Sequence, residues 1–586
     1  MSDLAKGGIF FFETTKPEDV FTVEDFSDEH KMIADSIEQF MVESVYPDFA
    51  ELEATHNGEI MKKMIAVAGE AGFLGMNIPE RFGGTEVDEI CTTIIIEKIG
   101  AAGSFLLGHG GQTGIGSMPI VFFGNEAQKA KYLPNIANGT KISCYALTEP
   151  NAGTDALGAQ TKAVLSEDGK YYILNGSKTF ISNAGIGHTF IVFAKINGEL
   201  FTGFIVEAGS EGLTTGADEQ KMGMRGSSTR TVFFDNVKVP VENLLFEPGK
   251  GVAVALGTLN LGRHKLAASA LGVSKVALAE SASYANERKQ FKVPIVSFGM
   301  IREKLAEMAV RTYAAESMIY RTGGLLMNIL GGVDKGATSA GQEIINAVEE
   351  YAIECSLEKV FCSEQEAFVV DEAVQIHGGY GYIAEYTVER LYRDARIHRI
   401  FEGTNEINRT VIVNMLTRRA AKGGLPLADA AKAAQKKAAG PTAVRATLED
   451  MVMMAKEVVL YTFGMAIDKY ADKQLAKQQE LAARLADLSM YAYACDSALA
   501  RARKYEAKKG ATAAQHIMNM TTAFIYSAAE KLKIIARECL CALAADGGLT
   551  VRLAELDKLT QYRLINLIAL REEIAAKIAE ARKYLV

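Results

Sequence analysis

Apolar residues recur three and four positions apart through "EHKMIADSIEQFMVESV" and "EIMKKMIAVAGEAGFLG", the spacing of helices with one buried face. Residues from about 27 to 141 are therefore expected to be helical, with glycines such as those of "GEAGFLG" ending the helices. Between about Ser143 and Pro240 the period drops to two. "YYILNGSKTFISN", "TFIVFAKI", "FTGFIVEA" and "RTVFFDNVKVP" are β-branched and aromatic runs separated by Asn-Gly and glycine turns, the pattern of a compact antiparallel sheet or barrel. After Pro294 only Pro426 and Pro441 of the 11 prolines remain, so the rest of the chain can form long helices. Those two fall in "KGGLPLADAAKAAQKKAAGPTAV", an Ala/Lys/Gly-rich stretch read as the boundary between two bundles. Beyond it Leu481, Leu485, Leu488 and Cys495 share one helical face.

The predicted class is α+β and multidomain. An N-terminal segment (1–26) precedes an α-helical domain (27–142), a middle antiparallel β-barrel or sheet domain (143–250) and a helical bundle (251–418); a linker (419–445) and a C-terminal helical extension (446–586) follow. Composition agrees with this size. A chain of 586 residues, 48% hydrophobic and 23% charged, is too long for one core and is ordinary for a globular protein. The net charge of −9 is spread along the chain without a long basic tract, which argues against nucleic acid as a partner. The seven cysteines form no CxxC pair and the eight histidines no HExxH cluster, so reduced thiols and no metal site are expected. The start, "MSDLAKGGIFFFETTKPEDV", lacks the apolar core and cleavage site of a secretory signal, and no apolar run is long enough to span a bilayer; the expected location is the cytoplasm.

Several stretches combine glycine with groups that bind ligands. "ALTEPNAGTD" (Ala146–Asp155) begins as a strand and breaks into a polar loop, either a hairpin turn or a donor-rich surface for a flat ring or phosphate. In "KTFISN" (Lys178–Asn183), Phe180 and Ser182 share a strand face, as an ordinary half-buried strand or as a plane and hydroxyl for a ring. "NERKQF" (Asn286–Phe291) ends a helix with cations that complement its dipole or reach a pyrophosphate through Arg288. "QIHGGYGY" (Gln375–Tyr382) is an inter-helix turn or a close backbone approach to a diphosphate. "GHGGQTGIG" (Gly108–Gly116) is rich in glycine for a helical neighbourhood. Finally, "RIFEGTNEINR" (Arg399–Arg409) sets Glu402 between Phe401 and Gly403 in a run that otherwise reads as helix.

Taken in this order, "YALTEPNAGTD", "GSKTFISN", "KMGMRGSSTR", "NERKQF" and the long "QIHGGYGYIAEYTVERLYRDARIHRIFEGTNEINR" resemble the acyl-CoA dehydrogenases, flavoproteins that oxidise the Cα–Cβ bond of an acyl-CoA. The resemblance covers about residues 25–415, and the further C-terminal helices make the chain most similar to the very-long-chain and bacterial long-chain branch. It implies that residues 251–418 form a four-helix bundle and that Glu402 is the general base for the α-proton, while FAD takes the β-hydride. Gly403 and Phe401 would line the acyl chain, and Arg263 with Asn260 would orient the base and the CoA side. Gly262 stands where some members carry an alternative base, so no competing acid exists there.

For the flavin, the resemblance implies contacts from Tyr145, Leu147, Thr148, Gly153 and Thr154 (Thr154 also toward substrate) and from Phe180, Ile181 and Ser182. It further implies Thr404 and Glu406 on the flavin side, and Arg288, Phe291, Gln375, Gly378 and Gly379 reaching the FAD of a neighbouring subunit. A homodimer or dimer of dimers follows, with electrons passed to an electron-transferring flavoprotein in fatty acid β-oxidation. Two alternatives are an acyl-CoA oxidase using oxygen and a catalytically silent assembly relative. The family usually has tryptophan at Phe180, and this chain has none; Glu406 replaces a frequent glutamine or aspartate. The stretch Gly423–Val444 is poor in large apolar residues, so any attachment to a membrane surface should be weak. Glycines in "GHGGQTGIG", where shorter-chain members are bulky or acidic, favour long acyl chains.

Overall fold

The computed structural model describes residues 5–337, 340–475, 477–544 and 548–586. Its first helices are α1 (Asp28–Phe40), α2 (Tyr46–Thr55), α3 (Gly58–Glu70), α4 (Glu89–Ile99), α5 (Gly103–Gly110), α6 (Met118–Phe123) and α7 (Glu126–Ala137). Side chains mark where they begin: Ser27, Asn57, Asp88 and Asn125 accept backbone N–H groups from the first turns of α1, α3, α4 and α7. Between α5 and α6 the glycine run continues as a π-helix, Gly111–Gly116.

The alternating stretch forms an eight-stranded sheet: β1 (Ser143–Ala146), β2 (Lys162–Leu165), β3 (Tyr171–Ser182), β4 (Thr189–Ile196), β5 (Leu200–Glu207), β6 (Leu213–Thr215), β7 (Thr229–Pro240) and β8 (Leu244–Leu245). The order is β6-β7-β3-β2-β4-β5-β8, with β1 beside β4. Most ladders are antiparallel as expected, but β1–β4 and β2–β4 run parallel. Leu174, Ile181, Val192, Phe204, Val232 and Val237 meet in its core. The helices are fastened to it through buried polar contacts. Gln128 of α7 donates to the carbonyls of Glu242 and Leu244, and Tyr132 to Glu207 and Asn243. These elements belong to one compact unit, Ser27–Lys265 with Leu326–Glu349.

The second unit comprises the segment ending at Phe26, Leu266–Leu325 and Glu350–Val586. The later helices are α8 (Gly251–Glu287), α9 (Gly299–Leu330), α10 (Ala340–Glu350), α11 (Ala352–His377), α12 (Thr387–Ala395) and α13 (Asn405–Ala421). After them come α14 (Leu427–Ala439), α15 (Leu448–Leu475), α16 (Gln479–Lys509), α17 (Ala511–Leu543), α18 (Leu549–Leu559) and α19 (Leu567–Ala581). The stretch expected to link the two bundles, 419–445, contains α14, whose Leu427, Ala431, Ala434 and Ala438 are buried at helical spacing. Small side chains let this helix pack closely. The N-terminal segment is tied in by charge: Glu24 and Glu316 both accept from the buried Arg501, and Tyr584 donates to Glu316 at 2.7 Å. Leu481, Leu485, Leu488 and Cys495 are all buried. Among the described residues, no helix is long and apolar enough to cross a membrane.

Candidate active site

The residues singled out in the sequence fall into two groups, one in each unit. In the first unit the loop after β1 and the end of β3 lie side by side, with the Thr179 N–H donating to the Thr148 carbonyl at 2.9 Å. The β3–β7 ladder is broken between Lys178 and Ile181, and at this bulge Phe180 adopts φ 59°. A bulky residue in the left-handed region is strained, and the bulge turns its ring outward: Phe180 is 64% exposed while Ile181 is sealed in the sheet core. Ser182 and Thr148 are half-buried, Gly153 and Thr154 exposed. Phe180, Ser182, Thr148 and Thr154 thus offer a ring plane and hydroxyls to a ligand. Ile181 can contribute only its backbone. Tyr145 is buried against Phe193, and Leu147 gives its carbonyl to a lysine.

That lysine, Lys178, holds the two pieces together. Its buried ammonium donates to Glu149 at 2.7 Å and to the Leu147 carbonyl at 3.1 Å, and Glu149 also accepts the Gln160 and Thr161 N–H groups. Burial alone would raise the Glu149 carboxyl, but the Gln160 N–H and Lys178 bring it below the ordinary carboxylate range. Lys178→Met strips the ion pair and leaves Glu149 buried, so about 3–5 kcal/mol of stability is lost. Chemical denaturation should register this as an earlier midpoint, and an unchanged midpoint would refute the role given to the pair.

Asn183 ends the same strand at φ 65° and donates to the Gly108 carbonyl at 3.1 Å. A side chain at Gly111 would run into Asn183, and one at Gly108 into Met61. These glycines admit close packing within the protein. Gly110 and Gly114 differ: nothing lies within 4 Å of where their Cβ atoms would stand, although Gly114 is buried. Four residues apart, they leave an unfilled groove along one helix face. Farther along, Arg263 is buried on α8 and donates to Asn260 at 2.7 Å, while Gly262 is half-buried.

In the second unit Arg288, Phe291, Gly378 and Gly379 line one open pocket of about 850 Å³, and the exposed Gln375 lies one turn earlier on α11. Phe291 and Lys292, at φ 51° and 70°, turn a short hairpin between Lys289–Gln290 and Val293–Pro294, which leaves Phe291 89% exposed. Gly378 ends α11 at φ 60°, ψ −138°, a conformation closed to other residues, and neither Gly378 nor Gly379 has an atom within 4 Å of a would-be Cβ. One cation, bare backbone and apolar walls suit a nucleotide diphosphate.

Glu402 and Gly403 turn the chain at φ 56° and 78° just before α13, whose N-terminus Thr404 caps by accepting the Ile407 N–H. Glu402 and Phe401 are half-buried. Phe401 stacks on His398, which lies 2.8 Å from the buried Glu366. The exposed Glu406 carboxyl is held below its usual range by its own backbone N–H and the Thr404 hydroxyl. The turn is gripped from α11 by Lys359, which donates to the Gly403 carbonyl at 2.8 Å, and from α13 by Asn408, which donates to it at 2.9 Å. Sequence reading missed both residues. Lys359 sits in a helix buried nearly all round, where periodicity carries no signal. The three ligand-type side chains His30, Asp88 and Cys91 also cluster; His30 accepts the Ser27 N–H, Asp88 accepts the Cys91 N–H, and burial beside the Asp88 carboxylate pushes the Cys91 thiol up.

Comparisons with known proteins bear on both groups. Family models described as acyl-CoA dehydrogenase match residues 27–140 (N-terminal domain), 144–237 (middle domain), 249–417 (C-terminal domain) and 454–558 (a further C-terminal domain). The chain is 44% identical to a probable acyl-CoA dehydrogenase of Bacillus subtilis (strain 168) across 100% of its own length and 99% of that protein. To the very long-chain specific mitochondrial acyl-CoA dehydrogenase of Homo sapiens it is 35% identical over 81% of this chain and 74% of the relative. Among solved structures, an acyl-CoA dehydrogenase of Bacillus anthracis complexed with FAD is similar with TM-score 0.97 and 45% identity, covering 99% of this chain and 100% of that one. Butyryl-CoA dehydrogenase of Megasphaera elsdenii is similar over only 67% of this chain but 99% of its own, with TM-score 0.61 and 34% identity.

Proposed function

Because the chain belongs to the acyl-CoA dehydrogenase family, we propose that it oxidises long-chain fatty acyl-CoA to trans-2-enoyl-CoA, with Glu402 removing the α-proton. The observation that carries this reading is the Glu402–Gly403 turn. A carboxylate held in a left-handed, half-buried turn is fixed in direction, and glycine beside it leaves room for an acyl chain against the backbone. Proton removal from a thioester α-carbon becomes feasible when the base needs no solvent reorganisation, and the Glu402 N–H is suited to bond the thioester carbonyl as charge develops there.

FAD, when bound, supplies the two-electron acceptor for the β-hydride. The residues available fit it: Phe180, Ser182, Thr148 and Thr154 for the ring system, and Arg288, Gln375, Gly378 and Gly379 for the diphosphate and adenosine. Phe180 gives a smaller stacking surface than the family's usual tryptophan. The exposed Phe291, Tyr380 and Met300 around the pocket support a second copy of the chain as its cover, hence a homodimer. Arg263 and Asn260 orient the CoA side. Electrons then leave to an electron-transferring flavoprotein in fatty acid β-oxidation, in the cytoplasm.

Long chains are supported by the open groove at Gly110 and Gly114. The test is an anaerobic titration of the holoenzyme with butyryl-, octanoyl- and palmitoyl-CoA, followed by the visible absorbance of oxidised flavin. Bleaching strongest with palmitoyl-CoA is expected. A flavin that no acyl-CoA bleaches would overturn the substrate assignment, and preference for butyryl-CoA would overturn its length.

A further inference from the structure

A left-handed glutamate persists only where its surroundings over-determine it. Around Glu402 that constraint has an identifiable source. The Lys359 ammonium, fully buried on α11, donates to the Gly403 carbonyl at 2.8 Å and to Asn405 Oδ1 at 2.7 Å. Asn405 in turn donates to Ser363 and Glu364, both on α11 and both at 3.1 Å. Asn408, also fully buried, aims its amide nitrogen at the Gly403 and Thr404 carbonyls, 2.9 and 3.1 Å away. Its own Oδ1 is enclosed with no hydrogen-bond partner. A buried ammonium and a half-satisfied buried amide are both unfavourable, and an apolar pair would serve packing better. What the two have in common is the turn.

We propose that Lys359 and Asn408 are positioning residues for proton abstraction, a two-sided donor clamp on the Gly403 carbonyl that fixes where the Glu402 carboxylate points. The proposal rests on the reading of Glu402 as the base. Neither side chain has to touch the acyl-CoA. Without the clamp the turn relaxes toward right-handed geometry and carries the carboxylate with it, and a displacement of about 1 Å costs about 10²-fold in rate.

The test uses full-length holoenzyme and a 3-thia-acyl-CoA, whose α-proton can be removed but whose β-sulfur has no hydride to give. Exchange of the α-proton with D₂O, read by NMR, then reports proton transfer without oxidation. Lys359→Met and Asn408→Ala are each expected to slow exchange, and kcat with palmitoyl-CoA, by about 10- to 100-fold with KM changed less than about threefold. Lys129→Met is the control, since it removes another fully buried lysine, one that donates to the carbonyls of 335, 336 and 337 in the other unit. It should lose stability yet keep exchange. Should Lys359→Met fail to fold, Asn408→Ala carries the test alone. Wild-type exchange in the clamp variants, or equal slowing in Lys129→Met, overturns the clamp. Exchange surviving in Glu402→Gln overturns the base assignment instead.

Discussion

Glu402→Gln is expected to lower the rate of flavin bleaching by acyl-CoA about 10³- to 10⁴-fold, the scale of a lost general base. The substitution keeps side-chain length and hydrogen-bonding capacity, and it alters none of the Lys359 and Asn408 bonds, which end on backbone carbonyls of the turn and on the Asn405 side chain, not on the Glu402 carboxylate. The strained turn should therefore survive with a group that cannot accept the proton. Anaerobic stopped-flow absorbance measures the bleaching rate, and retained flavin together with an unchanged dissociation constant for enoyl-CoA shows that binding is intact. Bleaching within tenfold of wild type would mean that another residue takes the proton.

The second large effect concerns the glycine groove. Gly110→Leu combined with Gly114→Leu should fill space that no atom now occupies, and lower kcat/KM for palmitoyl-CoA about 10²-fold while butyryl-CoA is turned over within a few fold of wild type. Neither glycine adopts a positive φ, so leucine is admissible there. Leucine also favours helix over glycine by roughly 0.5–1 kcal/mol per site, and the variant should melt no earlier than wild type. Loss of long-chain activity in a protein of undiminished stability separates a blocked channel from a damaged fold. Equal losses for both substrates would place the acyl chain elsewhere.

Much of the fold was legible because helix and strand periods are local. The spacing in "EIMKKMIAVAGE" marks α3, and the alternation in "YYILNGSKTFIS" marks β3, whatever they pack against. Composition left the local structure of the stretch between the bundles open: it contains α14, since alanine lets helices approach as readily as it fills a connection. The candidate site divides the same way. Glu402 beside Gly403 stood out as an acid next to a helix breaker, and Phe180 as an aromatic sharing a strand face with Ser182. Lys359 and Asn408 gave no sign, because the carbonyl they share is met only after the helices have packed. The glycine run showed the limit most clearly. Its letters are alike, yet Gly108 and Gly111 make room for Met61 and Asn183 whereas Gly110 and Gly114 face open space, a distinction made by residues distant in the chain.

Local pattern set the succession of helices, sheet and helices and the chemical groups at each turn, because periodicity and backbone preference act over a few residues. The strand order with its two parallel pairings, the two donors that meet on the Gly403 carbonyl and the space left over two glycines came from tertiary packing. Those depend on which surfaces meet, and one residue's burial or open space is set by neighbours that local pattern does not encode.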